Sequence, residues 1–545
     1  VAKDRQITQL AQPWLPPLKE RIYLEEISPT DFRKAWASKQ RKDLVLTLGM
    51  GDFPNRQEQK LISINLTKEG HIFLYGSVGT GKTTFLHTSA LELAQHHSPD
   101  NLNFYLLDFG TNGLAPLSQL PHVADWITLD QSEKLLKFLR VMTGILNSRQ
   151  SLLAEQGVGN VSQYETLTGK KLPTIVILTD SYETIRGEEY EESMQKLFIR
   201  ISREGINVGI HMIMTSMRQA NIRVTLYSNF KTQLTLRQND MTDVINVVGR
   251  TPYAQIEDIK GRGLIKLDEA VNIQLGLPIQ SESEIDYINR LRDKGQEMSD
   301  YWTGKRPAEI PMLPDVLTLK AFRTNYPSVQ KALASGQLPL GLDKETVTSR
   351  SWDPKKGSLL YLYEKESDAL QLIELINQEA KSQGIQLTFV ISESSYLEIE
   401  DDNIRVYDNQ ESQAEMVEAL GRQVTSRLKT NHRKLTHIII WYNYTEIIGS
   451  LKKAQHQESI AKLFESGSRV GLANIVISRP DYLTRFTDTA SRIIKKTKQS
   501  LIGYRIQDQP IVNPINRPLK EQPLKDQEYY WVVNGQLSKL QLPFY

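Results

Sequence analysis

The run Gly76-Ser77-Val78-Gly79-Thr80-Gly81-Lys82-Thr83 constrains the fold of this chain more than any other stretch. It follows the apolar residues 72–75 and precedes a segment in which Leu86, Ala90, Leu93 and Ala94 fall on one helix face. A glycine-rich turn between a strand and a helix is the setting of a phosphate-binding loop. The glycines let the backbone curl so that successive N–H groups point at phosphate oxygens. The helix N-terminus adds about half a positive charge. A nucleotide site made of Gly76, Ser77, Val78, Gly79, Thr80, Gly81, Lys82, Thr83 and Thr84 is therefore expected, taking ATP and Mg²⁺. In it Lys82 reaches the terminal phosphates and the Thr83 hydroxyl enters the Mg²⁺ shell.

Such a loop requires a parallel sheet behind it. Residues 72–75, 104–107, 175–178 and 212–215 are short, apolar on both faces and bounded by Gly, Asp, Asn or Pro, as buried parallel strands are. Their alternation with longer amphipathic runs predicts a doubly wound α/β fold. The third of these strands runs into Asp180, which is expected to hold Mg²⁺ through water. ATPases of this kind usually place a glutamate next, to polarise the attacking water. Here that position is Ser181, whose hydroxyl is a poor general base. Glu183 is close but is expected to project differently, and Glu188, Glu189, Glu191 and Glu192 read as a solvated helix face. Nucleotide binding with slow hydrolysis is the expectation, and no catalytic residue is assigned.

The second half repeats the first. Leu48-Gly49-Met50-Gly51-Asp52 is echoed by Leu340-Gly341-Leu342-Asp343, and His71-Ile72-Phe73-Leu74-Tyr75 by Ser358-Leu359-Leu360-Tyr361-Leu362. Residues 102–107 return as 386–391, and Lys196-Leu197-Phe198 as Lys462-Leu463-Phe464, in the same order. The second copy has lost its chemistry. Ala369 stands opposite Lys82, Asn443 is set opposite Asp180, and Glu364, Glu366 and Asp368 would repel a polyphosphate. Proline-containing stretches at Pro13-Trp14-Leu15-Pro16-Pro17, at Leu277-Pro278 and from Pro307 to Pro314 mark the joints. The division read from them is an extension over 1–42, a P-loop domain over 43–280, a linker over 281–335 and a degenerate domain over 336–545.

Composition narrows the classes. Cysteine is absent, which excludes disulfide scaffolds and thiolate metal sites. A net charge of +2 gives no global attraction for nucleic acid, and Lys495-Lys496-Thr497-Lys498 is the densest basic stretch. The apolar runs are too short to cross a bilayer. The chain opens at Val1, and a longer parent polypeptide is expected.

Four stretches together carry a resemblance. They are Trp14-Leu15-Pro16-Pro17-Leu18, the loop 76–83, Gly209-Ile210-His211-Met212-Ile213-Met214-Thr215-Ser216, and Gly261-Arg262-Gly263-Leu264-Ile265 followed by Val271-Asn272-Ile273-Gln274. The chain resembles the C-terminal two ATPase domains of type VII secretion motors, the EssC/EccC group of the FtsK/SpoIIIE family. The resemblance implies two tandem RecA-like P-loop domains, with mostly parallel sheets and helices on both faces. It places Ser216 at the sensor position for the γ-phosphate and expects an arginine finger from a neighbouring domain. It implies a motor at the cytoplasmic face of the bacterial membrane, anchored by a part absent from this chain and assembling as a hexamer with other secretion components. The later domains would regulate it and recognise the C-terminal signal of WXG100-type secreted substrates. A DNA translocase, the other arm of the family, and an interaction module with a vestigial loop are the competing readings.

Overall fold

The computed structural model describes residues 15–38, 41–392, 404–485, 487–518, 521 and 523–544, so Pro13 and Trp14 of the first motif lie outside the described residues. The chain divides between Ile310 and Pro311 into two compact units.

The first unit holds ten strands. They are β1 (Val45–Phe53), β2 (Glu58–Asn65), β3 (Ile72–Tyr75), β4 (Leu102–Asp108) and β5 (Val123–Thr128), then β6 (Thr174–Asp180), β7 (Ile210–Ser216), β8 (Thr232–Leu236), β9 (Arg262–Lys266) and β10 (Ala270–Leu275). They form one sheet in the order β2-β1-β10-β9-β8-β3-β7-β6-β4-β5. The run from β8 to β5 is parallel, and the strands beyond β8 are antiparallel.

In the second unit lie β11 (Leu338–Asp343), β12 (Ser349–Trp352), β13 (Leu359–Leu362), β14 (Gln386–Val390) and β15 (Ile404–Tyr407). They are followed by β16 (His437–Tyr442), β17 (Leu472–Ser478), β18 (Gln499–Ile502), β19 (Glu528–Val533) and β20 (Gln536–Gln541). Their order is β12-β11-β20-β19-β18-β13-β17-β16-β14-β15. Adding ten to each strand number of the first sheet reproduces the second, parallel segment and antiparallel extension included. Two copies of one scaffold stand in series.

The strands are buried on both faces because helices cover both. On one face of the first sheet Phe73, Tyr105, Ile177 and Met212 pack under the helices Ser132–Glu155 and Glu191–Glu204. On the other, Ile72, Leu74, Leu106 and Val176 pack with Leu86, Ala90, Leu93 and Ala94 of the helix Lys82–His96. Alternate residues thus point to opposite faces, as strand geometry requires. The second sheet repeats this, with Leu359 and Ile440 under the helix Glu366–Ser382 and Leu360 and Trp441 on the opposite side.

The stretch read as a linker over 281–335 is largely folded. Its helix Glu284–Tyr301 packs on the first unit, where the Tyr287 hydroxyl lies 2.8 Å from His87 Nδ1. Further on, Leu319 and Phe322 are buried in the second unit, and Arg323 donates to the buried Glu379 at 2.6 and 2.8 Å. The first residues behave likewise, since Leu18, Ile22, Phe32 and Trp36 are core residues of the first unit. Scattered apolar residues at irregular spacing carried these packings; the stretch Pro307 to Pro314 does contain the division, whereas Leu277-Pro278 lies inside the first unit.

The units are expected to differ in their response to acid. Burial pushes the imidazoles of His71 and His122 down to about 3 and those of His97 and His211 to about 4. In the second unit burial does the same to His437, at about 4. A histidine with a depressed folded pKa contributes stability above its unfolded value of about 6.5, and this is lost as pH falls below it. The first unit is therefore expected to lose hydrogen-exchange protection at a higher pH than the second. Peptide-resolved exchange between about pH 7 and 4 checks this, and the reverse order would contradict it.

Candidate nucleotide site

The loop leaves the C-terminal end of β3, which lies between β8 and β7 in the parallel run. Gly79 and Gly81 adopt φ of +78° and +110°, which side chains of L residues disfavour. A Cβ on Gly76 would lie 2.7 Å from Thr80 Oγ1. The loop is held from outside: Gly76 N–H donates to Ser216 O at 3.2 Å, Ser77 N–H to Arg237 O at 3.0 Å, and Gly261 N–H to Thr80 O at 2.9 Å. The last bond gives Gly261-Arg262-Gly263 its place, bracing the loop from β9. Within the loop, residues 78–84 have backbone N–H groups that donate to no acceptor among the described residues. They are donors in series, as an anion cradle needs.

The side chains converge on the same point. Lys82 Nζ donates to Gly76 O at 2.8 Å and Ser77 O at 3.0 Å. Burial lowers the pKa of its ammonium, opposed by the carboxylates of Asp180 and Glu183. Thr83 Oγ1 donates to Asp180 Oδ2 at 2.7 Å, and Thr215 Oγ1 donates to Asp180 Oδ1 at 2.6 Å. Asp180 is thus fixed at the end of β6 with one oxygen toward the residue expected to bind metal. Donor loop, lysine, and a threonine paired to a buried aspartate fit a Mg²⁺–polyphosphate group.

Sequence reasoning located these residues separately; the sheet brings them together. It missed two others. Asp108 ends β4 in direct register with Asp180. Its Oδ2 accepts from Leu114 N–H at 2.8 Å and the Trp126 indole N–H at 3.2 Å, while Oδ1 is buried without a hydrogen-bond partner. Burial raises its pKa, opposed by those two donors. The signal was available, because 104–107 is also an apolar strand that runs into Asp. Glu183 is the second: Oε1 accepts from Met217 N–H at 3.1 Å and Oε2 is buried without a partner. Its carboxylate acts electrostatically on the Lys82 ammonium. Ser216 is fully buried beside the loop, its carbonyl bound to Gly76 and its hydroxyl 3.4 Å from Arg218 O.

The second sheet repeats the frame without the chemistry. Tyr363 N–H donates to Ser478 O at 3.3 Å, so Tyr363 takes the place of Gly76 and Ser478 that of Ser216. The helix Glu366–Ser382 begins closer to its strand than Lys82–His96 does, winding Glu366 to Asp368 into helix where Gly79 to Gly81 form the loop. The fully buried Glu92 and Glu379 recur at matching places in the two helices, which keeps Ala369 opposite Lys82. Asn443 needs correcting. Registers pair Tyr442 with Ile477 in β16–β17 and place Asp180 beside Thr215, so Tyr442 is the counterpart of Asp180. Asn443 matches Ser181: both follow the strand in the left-handed region, at φ 51° and 56°. Tyr363 and Tyr442 stack with centroids 5.8 Å apart, and Tyr363 donates to Asn443 Oδ1 at 2.9 Å. The stacked pair thus stands at the positions that Gly76 and Asp180 hold in the first unit.

Two RecA-like units in tandem, one with an open phosphate loop and one closed by tyrosines, define a class of P-loop proteins. Residues 35–258 match the FtsK/SpoIIIE family model, and the chain is a homologue of type VII secretion EssC and EccC proteins. The type VII secretion system protein EssC of Staphylococcus aureus strain MSSA476 is 30% identical over 545 residues, covering 98% of this chain and 36% of that protein. The ESX secretion system protein EccC of Geobacillus thermodenitrificans is 28% identical over 560 residues, covering 99% of this chain and 36% of that protein. The chain therefore spans about a third of the length of these relatives. Among solved structures, EssC (ATPases 2 and 3) from Geobacillus thermodenitrificans matches with a TM-score of 0.82 and 25% identity, over 97% of this chain and 100% of that one. Thermomonospora curvata EccC (ATPases 2 and 3) in complex with a signal sequence peptide shares the fold, at a TM-score of 0.60 and 21% identity over 98% of this chain and 100% of that one. Among the described residues no helix is long and apolar enough to cross a membrane.

Proposed function

We propose that the first unit binds Mg-ATP at residues 76–84 and hydrolyses it slowly, as part of a type VII protein secretion motor. The observation that carries this reading is the series of unaccepted N–H groups over residues 78–84 beside Lys82 and the Thr83–Asp180 pair. On binding, Lys82 exchanges its two carbonyl partners for terminal phosphate oxygens. Thr83 and Asp180 would hold Mg²⁺, which would supply charge neutralisation to the phosphates, and Ser216 would face the γ-phosphate. Ser181 lies where a glutamate would accept a proton from water, and its hydroxyl is a poor base.

The second unit serves regulation, assembly or signal recognition. Supporting this, its sheet is retained while its loop is replaced by a helical turn and stacked tyrosines. The relatives are secretion proteins, and one neighbour by fold holds a signal sequence peptide. Its partners in this reading are WXG100-type substrates bearing a C-terminal signal, other secretion components, and further copies of the motor as a hexamer. The site of action is the cytoplasmic face of the membrane, reached through sequence outside this chain.

The test is the missing glutamate. Ser181→Glu is expected to raise steady-state ATP hydrolysis by about tenfold or more, since a positioned base contributes about 10²–10⁴-fold. An unchanged rate, or wild-type turnover already near about 10 s⁻¹, counts against slow hydrolysis.

A further inference from the structure

The parallel strands of the second sheet begin at an edge opposite the loop site. At that edge the two units differ by one segment. In the first unit residues 156–173 connect the helix Ser132–Glu155 to β6, and they include the helix Val161–Thr168. That helix caps the edge: Val161 N–H donates to Asn207 O at 3.0 Å, and Arg149 donates to Val208 O and Pro173 O at 2.7 Å each. Glu165 accepts from Arg41 at 2.6 Å, so the edge contains its own counter-charge.

In the second unit only residues 431–436 join the helix Gln410–Thr430 to β16. Arg427 repeats the bond of Arg149, donating to Val470 O at 3.1 Å, but nothing equivalent to the capping helix follows. A cavity of about 840 Å³ lies there. Four cationic residues line it, Lys355, Arg433, Lys434 and Arg469, and no carboxylate does. None of the four has an ion-pair partner among the described residues. Three more lining residues carry polar atoms closed off from solvent and without a hydrogen-bond partner: Gln383 Nε2, His432 Nε2 and Ser468 Oγ. A buried polar atom left unpaired costs about 1–3 kcal/mol. Ordinary solvated basic clusters do not bring such atoms with them. Here four cations and three residues with an unpaired polar atom line one space of the size that small ligands occupy.

We propose that this cavity binds the phosphoryl group of an anionic ligand, at a second site independent of the loop at Lys82. Arg433 and Arg469 supply the planar donor forks that suit phosphate oxygens, and Gln383, His432 and Ser468 complete its hydrogen bonds. The chemistry is shared by a soluble phosphorylated compound and a phospholipid headgroup.

The experiment uses the full chain carrying Lys82→Ala, which removes the lysine of the first site. Inorganic pyrophosphate is titrated calorimetrically at fixed ionic strength. One saturable site is expected, weakened at least about tenfold by Arg433→Gln with Arg469→Gln, since each lost charge-assisted pair is worth about 1.5 kcal/mol or more. Both side chains are exposed, so the variant should fold; unchanged circular dichroism and melting confirm it, and Ser468→Ala gives a second, independent weakening. Sedimentation with phosphatidylcholine vesicles, with and without phosphatidic acid, then separates the sources. Pyrophosphate-competed retention by the acidic vesicles assigns the phosphate to a lipid, and retention by neither assigns it to a soluble ligand. The proposal is overturned by the absence of saturable binding or by binding indifferent to the arginine changes. It is equally overturned if polyglutamate binds there and pyrophosphate does not.

Discussion

With Lys82 replaced by alanine, Mg-ATP is expected to leave the melting of the chain unchanged, whereas it raises one of two transitions in the wild type. The two units are separately cored, so calorimetry should resolve two events, and two-state treatment applies to each rather than to the whole. A ligand that binds only the folded first unit stabilises that unit by mass action, by about 2.7 kcal/mol at about 100 times its dissociation constant. Lys82 is placed to deliver this, its ammonium held by the Gly76 and Ser77 carbonyls at the start of the loop. The second transition should stay put, because Tyr363 and Tyr442 stack in the corresponding space. A shift that survives Lys82→Ala would show that the loop is not the nucleotide site. A shift in both transitions would show that the second unit has kept one.

The second large effect concerns packing. Gly49→Ala and Gly341→Ala are each expected to destabilise their own unit by about 3 kcal/mol, the upper end of overpacking, with backbone strain added only at Gly49, whose φ is +156°. A Cβ on Gly49 would stand 2.0 Å from Gln274 O, and one on Gly341 2.3 Å from Gln541 O. Both contacts are to neighbouring-strand backbone, which cannot swing aside as a side chain would. Both glycines end a register shift, after Thr47 in β1 and after Pro339 in β11. On their other side the two strands pair with β10 and β20, which carry those carbonyls. Urea unfolding of the variants measures the loss, and a change below about 0.5 kcal/mol in either would refute the steric account.

These glycines also show how a repeat in sequence relates to one in structure. The echo of Leu48-Gly49 in Leu340-Gly341 was visible as a similarity of letters, but the reason for the glycine was not. It lies in a carbonyl two hundred or more residues on in both copies. The strand runs were legible because apolar residues between turn formers are a local signal, and observed β3 coincides with its predicted span. Local signals also account for the errors. Asn443 was set opposite Asp180 on chemical likeness, yet the position is fixed by strand register and by a left-handed turn that Asn readily adopts. Asp108 was overlooked because its partnership with Asp180 depends on β4 lying beside β6, which are far apart in sequence.

What the sequence determined alone is what short stretches of chain dictate. A glycine-rich turn between strand and helix must curl, and an apolar strand must be buried. Two ordered sets of such strands make the scaffold twice, one set with a lysine and one without. Tertiary structure decided which distant residues meet. Parallel crossovers place the ends of β3, β4, β6 and β7 side by side, and only then do Lys82, Thr83, Asp108, Asp180 and Ser216 come together as one candidate site. The same crossovers bring Tyr363 onto Tyr442 and expose the edge that the helix Val161–Thr168 covers in the first unit. The cause is physical: hydrogen-bond register across a sheet is fixed by the packing of the whole layer, and no segment carries that information by itself.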